Sequence, residues 1–154
     1  MAGALLDQRA PTGRIRLRTA GTLAVEGQPM SFRTRDALKA IGVVPPEHLS
    51  HQLVEADLEG ATLVLAMADE HVHYVRRVHP EAAARTATIR RLSRDLASSN
   101  GSLSVRLEAL ELAIVELEAW ENVVDPAGGS EMDYLNCATE LDHLVNDLLP
   151  RLLD

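Results

Sequence analysis

Ala61-Thr62-Leu63-Val64-Leu65-Ala66-Met67 is an uncharged run without the polar alternation of a half-exposed strand. Apolar side chains at successive positions read as a strand buried on both faces, the pattern of a parallel sheet covered by helices. Downstream, Asp69 is placed to cap a helix reaching His79, with Val72, Val75 and Val78 on its inner face. Pro80 opens a short alanine-rich helix, Thr86-Ala87-Thr88-Ile89 reads as the last strand, and Arg90–Ala97 as a further helix.

Upstream, Met1–Arg9 has helical spacing and ends at Pro11-Thr12-Gly13. Arg14-Ile15-Arg16-Leu17-Arg18-Thr19 alternates strictly, predicting a strand with Ile15, Leu17 and Thr19 on one face. The three arginines opposite fit a charged edge strand better than a binding stripe. Thr34 is placed to cap a helix to Ile41, closed by Gly42 and Pro45-Pro46, and a helical turn is expected at Glu55–Glu59. Strands alternating with helices specify an α/β fold, a parallel sheet flanked by helices in three layers.

The 154 residues suit one domain. At 46% hydrophobic and 25% charged the chain is too apolar for disorder, and with 3% aromatic its core must be aliphatic. No apolar run reaches the length of a membrane span, and Met1–Arg9 lacks the basic start of a signal peptide, so the expectation is a cytoplasmic protein without membrane partners. A net charge of −8 argues against nucleic acid.

Beyond Ser98-Ser99-Asn100-Gly101, read as a flexible break, Leu103, Leu107, Leu110, Ile114 and Leu117 recur at helical spacing. They predict an acidic helix over about 102–121. The final helix runs from Ser130 toward Leu153 and buries Leu135, Ala138, Leu141, Val145 and Leu148. The lone cysteine, Cys137, lies inside it and reads as apolar filler rather than a nucleophile.

Four groups of residues invite chemistry. His48 and His51 have a spacing that metals use, but no third ligand is defined, and His71 and His73 cannot share a helix face, so no metal is expected. Arg85, Arg90, Arg91 and Arg94 form a basic group best read as a solvated face. The fourth is Val123-Val124-Asp125-Pro126-Ala127-Gly128-Gly129-Ser130. Pro126 holds Asp125 extended, the glycines let the chain fold back, and Ser130 with Asp133 approximates a capping box. A carboxylate fixed on a short loop suits a proton donor or acceptor.

Separate pieces of this chain, in order, resemble the low-molecular-weight protein tyrosine phosphatase family, which includes thiol-dependent arsenate reductases. They are Thr19-Ala20-Gly21-Thr22; Gly27-Gln28-Pro29 with Arg33; His48 with Gln52-Leu53; Asp57-Leu58; Leu63-Val64-Leu65-Ala66-Met67 with His71; and Asp125-Pro126 with Gly128-Gly129. The resemblance spans nearly the whole chain and treats the helix near 102–121 as an insertion in a single 1–154 domain. It implies that Asp125 is the general acid of phosphomonoester hydrolysis, protonating the phenolate that leaves as a cysteine thiolate attacks phosphorus. Such a proton transfer contributes ~10²–10⁴-fold in rate.

The family's C-x-x-x-x-x-R-S loop, which follows its first strand, has no counterpart here, and Met1–Leu6 resembles the residues just after it. Ala127 stands where many relatives carry an aromatic residue against the substrate ring. The resemblance therefore implies a cofactor-free phosphatase-like chain, inactive as it stands through a late start or a truncation. Its partner would be a phosphorylated protein or small phosphate ester in an active full-length form. Alternatives are a non-catalytic binding or scaffold domain and, third, an arsenate reductase relative, for which the reducing cysteines are lacking. Loss of a central strand between Arg14–Thr19 and Leu63–Met67 is expected to leave unpaired backbone groups, and so an unstable or oligomerising chain.

Overall fold

A computed structural model of the chain describes residues 1–98 and 101–153. The chain divides into two compact units, Met1–Leu53 with Val124–Leu149, and Val54–Val123 with Pro150–Asp154. The expected break at 98–101 falls partly outside the described residues.

In the first unit the helices are α1 (Ala2–Arg9), α2 (Phe32–Ala40) and most of the long terminal helix Glu131–Leu153. Leu5 and Leu6 of α1, Ala37 and Leu38 of α2, and Ala138, Leu141, Val145 and Leu148 of the terminal helix are buried and form its aliphatic core. Arg9 pairs with Asp142 at 3.0 Å, joining α1 to the terminal helix. The cap of α2 is Ser31 rather than Thr34: its hydroxyl accepts from the Thr34 N–H, so the helix begins a turn before its apolar pattern does. Gly42, at φ +78°, closes it as expected. Leu135 is half-buried rather than buried.

In the second unit, α3 (Glu55–Leu58) precedes β1 (Val64–Ala66), then α4 (Asp69–Val78), a 3₁₀ helix (Pro80–Arg85), β2 (Thr86–Thr88), α5 (Ile89–Asp95), α6 (Leu103–Glu108) and a second 3₁₀ turn (Ala119–Glu121). The terminal helix is α7. β1 and β2 pair in parallel, Val64 with Thr86 and Ala66 with Thr88, and α4 packs on both. The class is the expected α/β with a parallel sheet. Val72 and Val75 of α4 are buried, but Val78 is 46% exposed and lies at the end of the stripe. Ala68, not Asp69, holds the cap position, and the Asp69 carboxylate accepts from the Glu70 N–H beside it.

Two expectations fail, each for a non-local reason. Arg14–Thr19 belongs to no strand; the sheet among the described residues has two strands, and alternation alone cannot supply a hydrogen-bonding neighbour. Within this two-stranded sheet Leu63, Val64 and Leu65 are half-buried while β2 is wholly buried. Second, the helix expected at 102–121 covers only Leu103–Glu108. Beyond it the chain turns, with Glu111 at φ +49° and Ile114 76% exposed.

Arginines distant in sequence take the carbonyls that a continued helix would use. Arg76 Nη2 donates to Leu112 O (2.7 Å) and Val115 O (2.8 Å). Arg91 Nη2 donates to Glu116 O (2.7 Å), and Arg90 Nη1 to Trp120 O (2.9 Å). The basic group is thus no solvated face. Arg85 donates to Glu81 O and Leu58 O, Arg94 lies 3.8 Å over the Trp120 ring, and Arg91 is buried against Glu121.

Candidate active site

Asp125 sits on the loop that enters α7. Its Oδ1 accepts from the Ala127 N–H at 2.9 Å, a side-chain turn that fixes the carboxylate relative to its own backbone. The Gly129 N–H donates to Pro126 O at 2.9 Å, and Gly128 takes φ +79°, an angle that favours glycine. The loop closes on the expected box: Ser130 N donates to Asp133 Oδ2 (2.7 Å), while the Asp133 N–H donates back to Ser130 Oγ (3.3 Å). Hydrogen bonds to its carboxylate from the Ser130 hydroxyl (2.8 Å) and the Ser130 N–H hold the Asp133 carboxyl below the ordinary carboxylate range. Asp125 itself is exposed.

The Cys137 thiol of α7 feels charges from several groups of this unit. Burial pushes the Cys137 thiol up, and the carboxylates of Glu140 and Asp125 push it further in the same direction, against the Met1 amino group. Burial in turn lowers that amino group, with the Cys137 charge acting the other way. The loop carboxylate and the amino end of α1 therefore each lie within electrostatic reach of the α7 thiol. Sequence spacing gave no sign of that proximity, since it depends on how α1 and α7 pack. A buried thiol facing two carboxylates is protonated at neutral pH and is not an attacking thiolate.

The histidines lie elsewhere in the same unit. His48 and His51 line a shallow depression with Thr19, Ala20, Gly21, Ala24 and Ser50. His51 Nδ1 is 3.3 Å from the Glu26 carboxylate. Among the described residues no three histidine, cysteine or acidic side chains converge as a metal would require. Gln52, quoted above only for its family likeness, orders the adjoining loop. Its Oε1 accepts from the Ala24 N–H (2.8 Å), and its Nε2 donates to Thr22 O (3.1 Å). No helix among the described residues is long and apolar enough to cross a membrane.

No family model matches the chain. It is 28% identical over 152 residues to a protein-arginine-phosphatase of Geobacillus stearothermophilus, covering 99% of this chain and 86% of that relative. The solved YwlE arginine phosphatase from the same organism superposes with a TM-score of 0.75 at 27% identity, covering 98% of this chain and 82% of the other. A low molecular weight protein tyrosine phosphatase from T. tengcongensis gives a TM-score of 0.74 at 28% identity, covering 96% and 86%. Likeness in sequence and fold thus agree: the chain is similar, over nearly its whole length, to low-molecular-weight protein tyrosine phosphatases and arginine phosphatases.

Proposed function

We propose that these 154 residues carry the general acid of a phosphatase site, Asp125, and do not by themselves turn over phosphorylated substrates. The observation carrying this reading is the state of the single thiol. Cys137 is buried on α7 and pushed up by burial and two carboxylates, the opposite of what a phosphorus nucleophile needs. Asp125 is exposed and its carboxylate is held by the Ala127 N–H, which supports a role in handing a proton to a leaving atom as its bond to phosphorus breaks. Relatives named as arginine and tyrosine phosphatases support a phosphorylated protein side chain as the ligand class. Ala127 offers no aromatic wall to select a phenol ring.

The test is hydrolysis of p-nitrophenyl phosphate and of a phosphoarginine peptide by the chain, Asp125→Asn and Cys137→Ser. All three should remain at the buffer rate. Turnover by the chain that disappears in either variant overturns the reading. A second reading, a non-catalytic binding domain, is favoured by the exposed run Arg14–Ala20.

A further inference from the structure

Two exposed apolar faces of the molecule carry opposite charge. In the first unit Leu49 is 63% exposed, yet the backbone on either side of it is bonded to the neighbouring loop. The Met30 N–H donates to His48 O (3.3 Å), the Ser50 N–H donates to Gln28 O (2.8 Å), and Leu49 itself is bridged to Pro29. Phe32 follows at the start of α2, 59% exposed. Arg35, three residues on, shares its side of the helix, and the Arg33 guanidinium lies 5.6 Å over the Phe32 ring. Among the described residues neither arginine has a carboxylate partner, and Asp36 pairs instead with Lys39 at 3.8 Å.

In the second unit, α6 and the turn after it present Val105 and Ile114, both exposed. Ile114 is held outward, because Arg76 takes the carbonyls of Leu112 and Val115 on its two sides. Glu108 lies one helical turn from Val105, and the Glu111 N–H donates to Glu108 O. Both carboxylates are exposed and, among the described residues, have no cationic partner. Neither set of charges serves its own helix. Arg33 and Arg35 stand at the positive end of α2, whose first turn holds no acid, and Glu108 stands at the negative end of α6.

We infer that the chain associates head to tail with a second copy of itself, the Phe32–Arg35 face of one copy on the Val105–Ile114 face of the next. Phe32 and Leu49 cover Val105 and Ile114, while Arg33 and Arg35 meet Glu108 and Glu111. Neither face suits its own kind, since a symmetric contact would set like charges against each other. The inference uses none of Asp125's chemistry and holds whether or not the chain hydrolyses phosphate.

The test is analytical ultracentrifugation of the whole chain and of two charge-reversed chains, Arg33→Glu with Arg35→Glu and Glu108→Arg with Glu111→Arg. The parent's weight-average mass should rise with concentration and fall back toward the monomer in high salt. Each reversed chain alone carries two faces of one sign, so its association constant should drop at least about tenfold. An equimolar mixture of the two should recover the parent's association, because each reversed face then meets its opposite. Both reversals give the helix ends the charge they prefer, so neither melting transition should fall. If one does, the neutral pairs Arg33→Gln with Arg35→Gln and Glu108→Gln with Glu111→Gln take its place, and each should weaken association. A parent that stays monomeric at every concentration overturns the inference. Reversed or neutral chains that associate like the parent overturn it too, as does a mixture no more associated than its components.

Discussion

Arg91 grips the carboxylate of Glu121 with two nitrogens, Nε to Oε2 at 2.9 Å and Nη2 to Oε1 at 2.5 Å. Glu121 has no exposed surface and Arg91 has 6%. Thr88 Oγ1 also donates to Oε2, and the Glu118 N–H to Oε1, so both carboxylate oxygens are satisfied. This buried pair ties β2 and α5 to the 3₁₀ turn at Ala119–Glu121.

Removing one partner leaves the other charge buried alone. Glu121→Ala is expected to cost about 3–5 kcal/mol of unfolding free energy, read by urea denaturation. The double variant Glu121→Leu with Arg91→Met should recover much of that loss, because no uncompensated charge remains. A Glu121→Ala chain with an unchanged urea midpoint would contradict the structure of this cluster.

Acid should unfold the protein through the same residue. Burial pushes the Glu121 carboxyl up, but hydrogen bonds from Arg91, the Glu118 N–H and Thr88 together hold it below its ordinary value. Asp95 is held low as well, chiefly by its hydrogen bond from Arg94. A carboxyl with a folded-state pKa below its unfolded one stabilises fully above the unfolded value, about 4.3 for glutamate. That contribution is lost as pH falls through the folded value. The urea midpoint should therefore change little from pH 7 to 5 and fall steeply below about 4.5, with a shallower fall in Glu121→Gln.

The entry to α7 rests on a reciprocal pair. Ser130→Ala should cost about 1 kcal/mol, Asp133→Ala should destabilise in the same direction, and the double variant should cost less than the sum, since each removes the other's partner. Gly129→Ala should cost at least as much. A Cβ there would lie 2.7 Å from Asp133 Oδ2 and 3.0 Å from Pro126 O, forcing the carboxylate off Ser130. Thermal melts of the four chains measure this directly.

Cys137 should behave as a protected thiol. Iodoacetamide at pH 7.5 is expected to alkylate it on the order of a hundredfold more slowly in the folded chain than in urea, by mass spectrometry. Fast alkylation of the folded chain would mark an accessible thiolate and remove the basis for the proposed inactivity.

The elements readable from sequence were those decided by neighbours along the chain. β1 and β2 announced themselves as short uncharged runs, α4 and α7 by helical spacing, and the Asp125 loop by its proline and glycines. Arg14–Thr19 misled because alternation describes a strand's faces and says nothing of what its edges bond. The stripe from Leu103 to Leu117 misled because Arg76, Arg90 and Arg91, remote in sequence, claim the carbonyls between Leu112 and Trp120. Nothing local marked Met1 and Asp125 as groups whose charges reach the Cys137 thiol, since helix packing decides it.

The arginine-to-carbonyl clamps make residues 109–121 inseparable from the helices that grip them. Excising this segment to obtain a minimal domain would remove the carbonyls that Arg76, Arg90 and Arg91 hold there, and the Glu121 carboxylate with them. A workable deletion must replace Arg76, Arg90 and Arg91 in the same step, so insert and clamps are gained or lost as one module. Lysine is no neutral substitute at these sites, because a single ammonium cannot reproduce the planar fork with which Arg91 holds Glu116 O and Glu121 together.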